Sequence, residues 1–407
     1  MSESLLTELA WPAAWSEYLA YKTEKGHLSR KELDSLSVFI AAKEYLPCVQ
    51  AILRGEPLSL PEKRFVNKGG SGRKRAVYRF RPDEMAVLKL LTFLLYRYDD
   101  RMPDGCYSFR PGAGAHTAIR KITGTPGVRG MWCAKVDVAD YFNSIDVAAL
   151  LPELAAVFSD DPPLYEFFAR YLGEARAVFE GEIITEPHGV MAGTPVSPFL
   201  ANLYLADVDR AFAARGILYA RYSDDILFFA QSEAQLTAHM DFLRAQLAAK
   251  GLSVNQAKTR ISAPGEAWEY LGFEYKDGQI DLSHATREKI KARIRRKARA
   301  LYRWQTRKGA APERTLRAMN RAFNRKFYGG AEKHGLTWSR WFFPILTQAD
   351  GLREVDGYLQ QYLRYLPTGR HTKKNGALRY DDLRAAGYRP LVAAYYEYRQ
   401  AALLSDS

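Results

Sequence analysis

The stretch LYARYSDDILFFA, residues 218–230, constrains this chain more than any other. Two β-prone runs flank Ser223-Asp224-Asp225, which predicts a hairpin with the paired aspartates at its tip. Adjacent carboxylates between hydrophobic strands are costly unless something neutralises them, although aspartate also favours turns for ordinary reasons. A second apolar run, MWCAKVDVADYFNSID at 131–146, reads as a buried strand ending at Asp137, with a helix starting near Ser144 or Asp146. Taken singly, Asp137 fits a helix cap or a turn equally well.

Together the three carboxylates suit nucleotidyl transfer, which needs a nucleophilic 3′-hydroxyl and stabilisation of charge on phosphorus. Two Mg²⁺ ions about 4 Å apart do both, with Mn²⁺ as the substitute ion, and clustered carboxylates hold such ions. Asp137 and Asp224 are the natural bridging pair, with Asp225 in support. Between them lies HGVMAGTPVSPFLANLYLADVDRAF, residues 188–212. Gly189 and Gly193 allow close backbone approach there, Pro195 and Pro198 fix the turn, and a helix is predicted from about Ser197.

Charge adds a partner class. Among 407 residues, 59 Lys and Arg against 46 Asp and Glu leave a formal +13, which favours a polyanion. Eleven of the 22 residues from Arg287 to Lys308 are basic, and Ile290, Ile294, Ala298 and Leu301 mark one apolar stripe at helical spacing. Such a helix suits a phosphate backbone, with Arg293, Arg296, Lys297 and Arg303 as contacts. The aromatic rings in and beyond it, Trp304, Trp338, Trp341, Tyr358, Tyr362 and Tyr365, read mostly as core. No stretch reaches the roughly 18 apolar residues of a membrane span, and the N-terminus lacks the basic start of a signal peptide. Cys48, Cys106 and Cys133 form no C-x-x-C pair, and a reducing cytoplasm is the expected setting.

Residues 1–60 read as helical, with Leu36, Phe39, Ile40 and Leu46 on one face, and a basic hairpin spans Lys68 to Arg81. A leucine-rich helix follows at about 83–97, and the centre alternates β-type runs with helices. The expected organisation is an N-terminal helical extension at 1–60, a central unit at 61–284 and a basic helical region at 285–407.

In this order the blocks resemble the reverse transcriptase superfamily through most of residues 60–282. That resemblance implies an α+β right-hand polymerase: fingers and an antiparallel-sheet palm, then an all-helical thumb and C-terminal extension. YSFRPGAGAHTAIRKI (107–122) is similar to the F-R-P block of bacterial and group II intron enzymes, and Tyr222-Ser223-Asp224-Asp225 to the Y-x-D-D box. By this resemblance Asp137, Asp224 and Asp225 are catalytic, and Asp137, Val138, Asp224 and Asp225 ligate metal. Lys68, Arg75, Asp140, Tyr141, Gly193 and Lys258 serve the nucleotide, Lys258 by protonating the leaving pyrophosphate. Phe142 fits the steric gate against a ribose 2′-hydroxyl, and Leu271, Gly272 and Phe273 form the primer grip. One position departs from the pattern: Ala192 stands where the family usually has glutamine.

The resemblance is nearest to compact bacterial enzymes of the "unknown group", many of them defence-associated, and the MAGTPVSP form leans toward class 2 of these. Ribonuclease H, protease, integrase and HNH blocks are not evident, nor are the N-A-x-x-H and V-T-G elements of retrons. The implied activity is RNA-directed DNA synthesis from a cognate structured non-coding RNA and dNTPs, through an RNA–DNA duplex, in anti-phage defence. Two alternatives stand beside it: untemplated or protein-primed DNA synthesis, which the Ala192 departure keeps open, and a non-catalytic RNA-binding maturase or chaperone.

Overall fold

The computed structural model describes residues 3–26, 28–67, 74–329, 337–371 and 378–405. Eleven strands lie among them. β1 (Glu62–Asn67) and β2 (Lys74–Arg79) precede β3 (Trp132–Asp137), β4 (Arg176–Phe179) and β5 (Glu182–Thr185). β6 (Tyr219–Tyr222), β7 (Asp225–Ala230) and β8 (Arg260–Ser262) follow, then β9 (Trp268–Tyr270), β10 (Phe273–Lys276) and β11 (Gln279–Leu282). Every described element after Leu282 is a helix, so the fold is α+β with a helical C-terminal portion.

The chain forms two compact units, Met1–Glu24 with Arg30–Pro264, and Lys25–Ser29 with Gly265–Ser407. In the first, β6-β7-β3-β8 make an antiparallel sheet. Its strands are apolar because helices cover them: Ile226, Leu227, Phe228 and Phe229 of β7 are all buried, each such side chain contributing about 1.5–3 kcal/mol. The second sheet, β2-β1-β4-β5, carries the basic hairpin, whose strands start earlier and end sooner than the sequence suggests.

Within 1–60, the described residues 3–24 and 30–60 belong to this same unit. Trp15 is fully buried and stacks on Tyr45 at 4.4 Å, and the Leu5 N–H donates to the buried Asp161 carboxylate at 2.8 Å. Leu36, Phe39, Ile40 and Leu46 pack against the core as their spacing predicts.

In the second unit, β9–β11 form an antiparallel sheet of their own. The compact-unit boundary therefore falls at Pro264 and not near residue 284. The reason is local: Asp281 of β11 accepts the Gly351 N–H at 2.9 Å, and Ile280 exchanges hydrogen bonds with Thr347. Both tie the sheet to the start of the helix Asp350–Tyr365. The basic helix spans His284–Lys308, burying Ile290, Ile294 and Ala298, while Leu301 is only half-buried. Tyr362 is buried and the other five rings are half-buried, with Tyr358 against Tyr362 at 5.0 Å. All three cysteines are buried free thiols, and among the described residues no single helix is long and apolar enough to cross a membrane.

Candidate active site

The paired strand ends of the first unit bring the three acids together. β3 and β7 align so that Asp137 lies opposite Asp225, and β6 pairs Tyr222 with Asp225. Asp225 is thus the first residue of a strand, and the turn proper is Ser223-Asp224. The register continues past the strand end, because the Val138 N–H donates to the Asp224 carbonyl at 2.9 Å. Val138 itself is buried.

Two lysines neutralise this acid cluster. Lys258 Nζ sits 2.6 Å from both Asp137 oxygens, and Asn255 donates to Asp137 through its side chain at 3.2 Å and its N–H at 2.7 Å. Lys135 Nζ lies 3.3 Å from Asp225. Lys135 and Asn255 escaped the sequence reading; the alternation of β3, which puts Lys135 on the same face as Asp137, is the signal that finds the first. Among the described residues no group of three or more His, Cys, Asp and Glu side chains stands ready to hold a metal ion. The donor chemistry nonetheless fits one. Burial and the neighbouring Asp137 raise the Asp224 carboxyl above its usual range, with Lys258 and Arg75 pulling against them. Burial pushes Asp225 up to about 6, Lys135 opposes it, and Asp224 and Asp137 add to it. Partly buried carboxylates that repel one another suit a hard, oxygen-preferring divalent cation.

That shift has a testable sign. The folded chain holds the Asp225 proton more tightly than an unfolded chain, where the carboxyl titrates near about 3.9. The resulting destabilisation is absent below about pH 4 and grows as pH rises to about 6, by at most about 3 kcal/mol. In metal-free buffer the melting temperature should fall across this window relative to Asp225→Asn, which lacks the titration. Parallel melting curves for the two chains would contradict it.

The remaining nucleotide-site residues divide. Arg75 is half-buried on β2; Lys68 lies outside the described residues. Asp140 is exposed with φ 41° and starts the short helix Tyr141–Ser144, which precedes the helix Val147–Val157. Tyr141 points its ring inward. Its side chain is 1% exposed and its hydroxyl donates to the Ala201 carbonyl, so the ring belongs to the core and only the main chain of Tyr141 is left to meet a nucleotide. Phe142 is half-buried, edge-on to Tyr141 at 5.7 Å.

Gly189 and Gly193 have the close approaches expected of them. A Cβ on Gly189 would lie 2.2 Å from the Phe142 carbonyl oxygen, and one on Gly193 would lie 3.1 Å from Val77 and 3.2 Å from the Tyr78 oxygen. The Val190 N–H donates to Phe142 and the Tyr78 N–H to Ala192, at 3.0 and 2.8 Å. The loop thereby joins the helix bearing Phe142 to β2, and the helix Ser197–Tyr204 follows it.

Leu271, Gly272, Phe273 and the basic helix belong to the second unit. Leu271 and Gly272, with φ 51° and 91°, make the tight turn between β9 and β10, matching the mirror-image turns that suit strand twist. Arg293, Arg296, Lys297 and Arg303 are all exposed.

A carboxylate-tipped hairpin aligned with an acidic strand end, on an antiparallel sheet backed by helices, defines a polymerase-type palm. A family model described as "Reverse transcriptase (RNA-dependent DNA polymerase)" matches residues 66–275, just over half of the chain. The chain belongs to that family. It is 26% identical over 233 residues to the retron Ec86 reverse transcriptase of Escherichia coli, covering 56% of this chain. It is also 28% identical over 183 residues, 44% of this chain, to an uncharacterized 91 kDa protein in the cob intron of Schizosaccharomyces pombe. The matches span 66% and 21% of those relatives' lengths. Among solved structures, apo telomerase from Candida tropicalis aligns with TM-score 0.45 and 12% identity, over 81% of this chain and 68% of that one. Telomerase from Candida albicans, with a TWJ fragment of telomeric RNA, aligns at 0.43 and 11%, over 92% and 67%. Likeness of that degree carries no functional argument.

Proposed function

We propose that this chain is an RNA-directed DNA polymerase that copies a cognate structured non-coding RNA, acting in the bacterial cytoplasm in defence against phage. The observation that supports it most is the Asp137–Asp225 register with Asp224 at the adjoining turn, in a chain of the reverse transcriptase family. Asp137 and Asp224 would hold two Mg²⁺ ions, assisted by Asp225 and Val138; bound there, the ions make a 3′-hydroxyl nucleophilic and stabilise charge on the phosphoryl group. Lys258, which pairs with Asp137 in the metal-free chain, would give a proton to the departing pyrophosphate, and Arg75 and Lys68 would hold the triphosphate. The exposed cations Arg293, Arg296, Lys297 and Arg303 track the duplex phosphates, and Leu271, Gly272 and Phe273 steady the primer.

Phe142 sets the sugar. Replacing it with alanine should raise ribonucleotide incorporation relative to deoxyribonucleotide by about ten- to two-hundredfold, measured by competing substrates in primer extension. An unchanged ratio would remove Phe142 from this role. Untemplated synthesis remains the second reading because Ala192, 4% exposed, offers a buried methyl and only its carbonyl to Tyr78. Sequencing DNA made by the chain with and without its bound RNA separates the two readings.

A further inference from the structure

The turn that carries Asp224 has a backbone its own residue type disfavours. Ser223 has φ 61°, a left-handed conformation that costs a residue with a Cβ and persists only where its surroundings over-determine it. The surroundings here come from distant parts of the chain. The Ser223 N–H donates to Ser108 Oγ at 2.8 Å. The Ser108 hydroxyl in turn donates to Asn202 Oδ1 at 2.9 Å, and Asn202 Nδ2 donates back to the Ser108 carbonyl at 2.6 Å. On the other side of the turn, Arg221 Nη1 reaches the Ser223 carbonyl at 3.4 Å. Asp209 fixes that guanidinium through Nε at 2.8 Å and Nη2 at 2.5 Å. Ser108, Asp209 and Arg221 are fully buried, and Asn202 is 2% exposed.

We propose that Ser108 and Asn202 are positioning residues for the Asp224–Asp225 turn. Ser108 supplies the bond that keeps Ser223 left-handed, and Asn202, on the helix Ser197–Tyr204, keeps the Ser108 hydroxyl aimed at it. Serine is suited to this task because one hydroxyl can accept from the Ser223 N–H while donating to Asn202. The network links the F-R-P block, the middle motif and the acidic hairpin. Any displacement of either outer block is thus felt where Asp224 sits beside Asp137. The inference rests on the polymerase reading for its catalytic consequence, but not for its structural content.

Glycine tests it, because it adopts φ near +60° with no Cβ penalty. S108A is compared in two backgrounds, the native chain and S223G. Three properties are read: melting temperature, Mn²⁺ binding by titration calorimetry, and kcat and KM for dNTP in primer extension. In the native background S108A should weaken Mn²⁺ binding and lower kcat, each by about tenfold, with KM little changed. In the S223G background the same change should cost no more than about twofold. The hydrogen bond lost by the turn N–H is common to both comparisons and cancels, leaving the conformational part.

Equal losses in both backgrounds, or no loss in the native one, would overturn the proposal, as would an S223G chain that fails to fold. If S108A alone does not fold, recovery of a folded chain in S108A/S223G supports it, and failure of both overturns it. A wild-type chain that makes no DNA would defeat the polymerase reading while melting and Mn²⁺ binding still decide this one.

Discussion

Changing Asp224 to asparagine is expected to reduce DNA synthesis by about a thousandfold or more while leaving the chain at least as stable as before. The catalytic half follows from the proposed role: without the Asp224 charge the site would hold its divalent cation weakly, and the cation is what would stabilise the developing negative charge. The stability half follows from the carboxyl's surroundings. Burial and Asp137 already work against the ionised Asp224 in the metal-free chain, so a neutral amide of the same shape removes a repulsion. Melting in chelator should therefore show an equal or higher transition for D224N, and primer extension should show almost no product. A variant that loses both fold and activity would mean that Asp224 is chiefly structural.

The second large effect lies beneath the hairpin. Arg221 and Asp209 form a wholly buried ion pair, and the Tyr219 hydroxyl also donates to Asp209, at 2.7 Å. Burying two charges is costly, so the pair adds little net stability, but removing one partner strands the other. Asp209→Ala is expected to destabilise the chain by about 3–5 kcal/mol. Replacing both, as D209L/R221M, should cost clearly less, because no buried charge is left over. Denaturant unfolding of the two variants checks this, and a double variant as unstable as D209A alone would refute the account of the network.

Much of this architecture was legible in the chain itself. The two β-prone runs around Asp224 forecast a hairpin because short apolar stretches with turn residues between them read as paired strands, and β6 and β7 form there. The strand ending at Asp137 was legible for the same reason. Local pattern could not supply which side chains meet. Ser108 and Ser223 are 115 residues apart, and Lys258 and Asp137 are 121 apart. Arg221 left one trace, a cation inside an otherwise apolar strand, which calls for a buried partner. The inward turn of the Tyr141 ring was not legible either, because a helix of only four residues, Tyr141–Ser144, sets its direction. The boundary near residue 284 followed a change in composition, whereas compactness follows the hydrogen bonds of β11 to the segment 347–351.

The central claim is that Asp137, Asp224 and Asp225 serve templated DNA synthesis. It is tested most directly by expressing the chain with its flanking DNA, purifying it, and sequencing the RNA it holds and the DNA it makes. The account predicts DNA complementary to the bound RNA, dependent on Mg²⁺ and lost in D224A/D225A. DNA with no match to that RNA, or undiminished synthesis by the double variant, would contradict it.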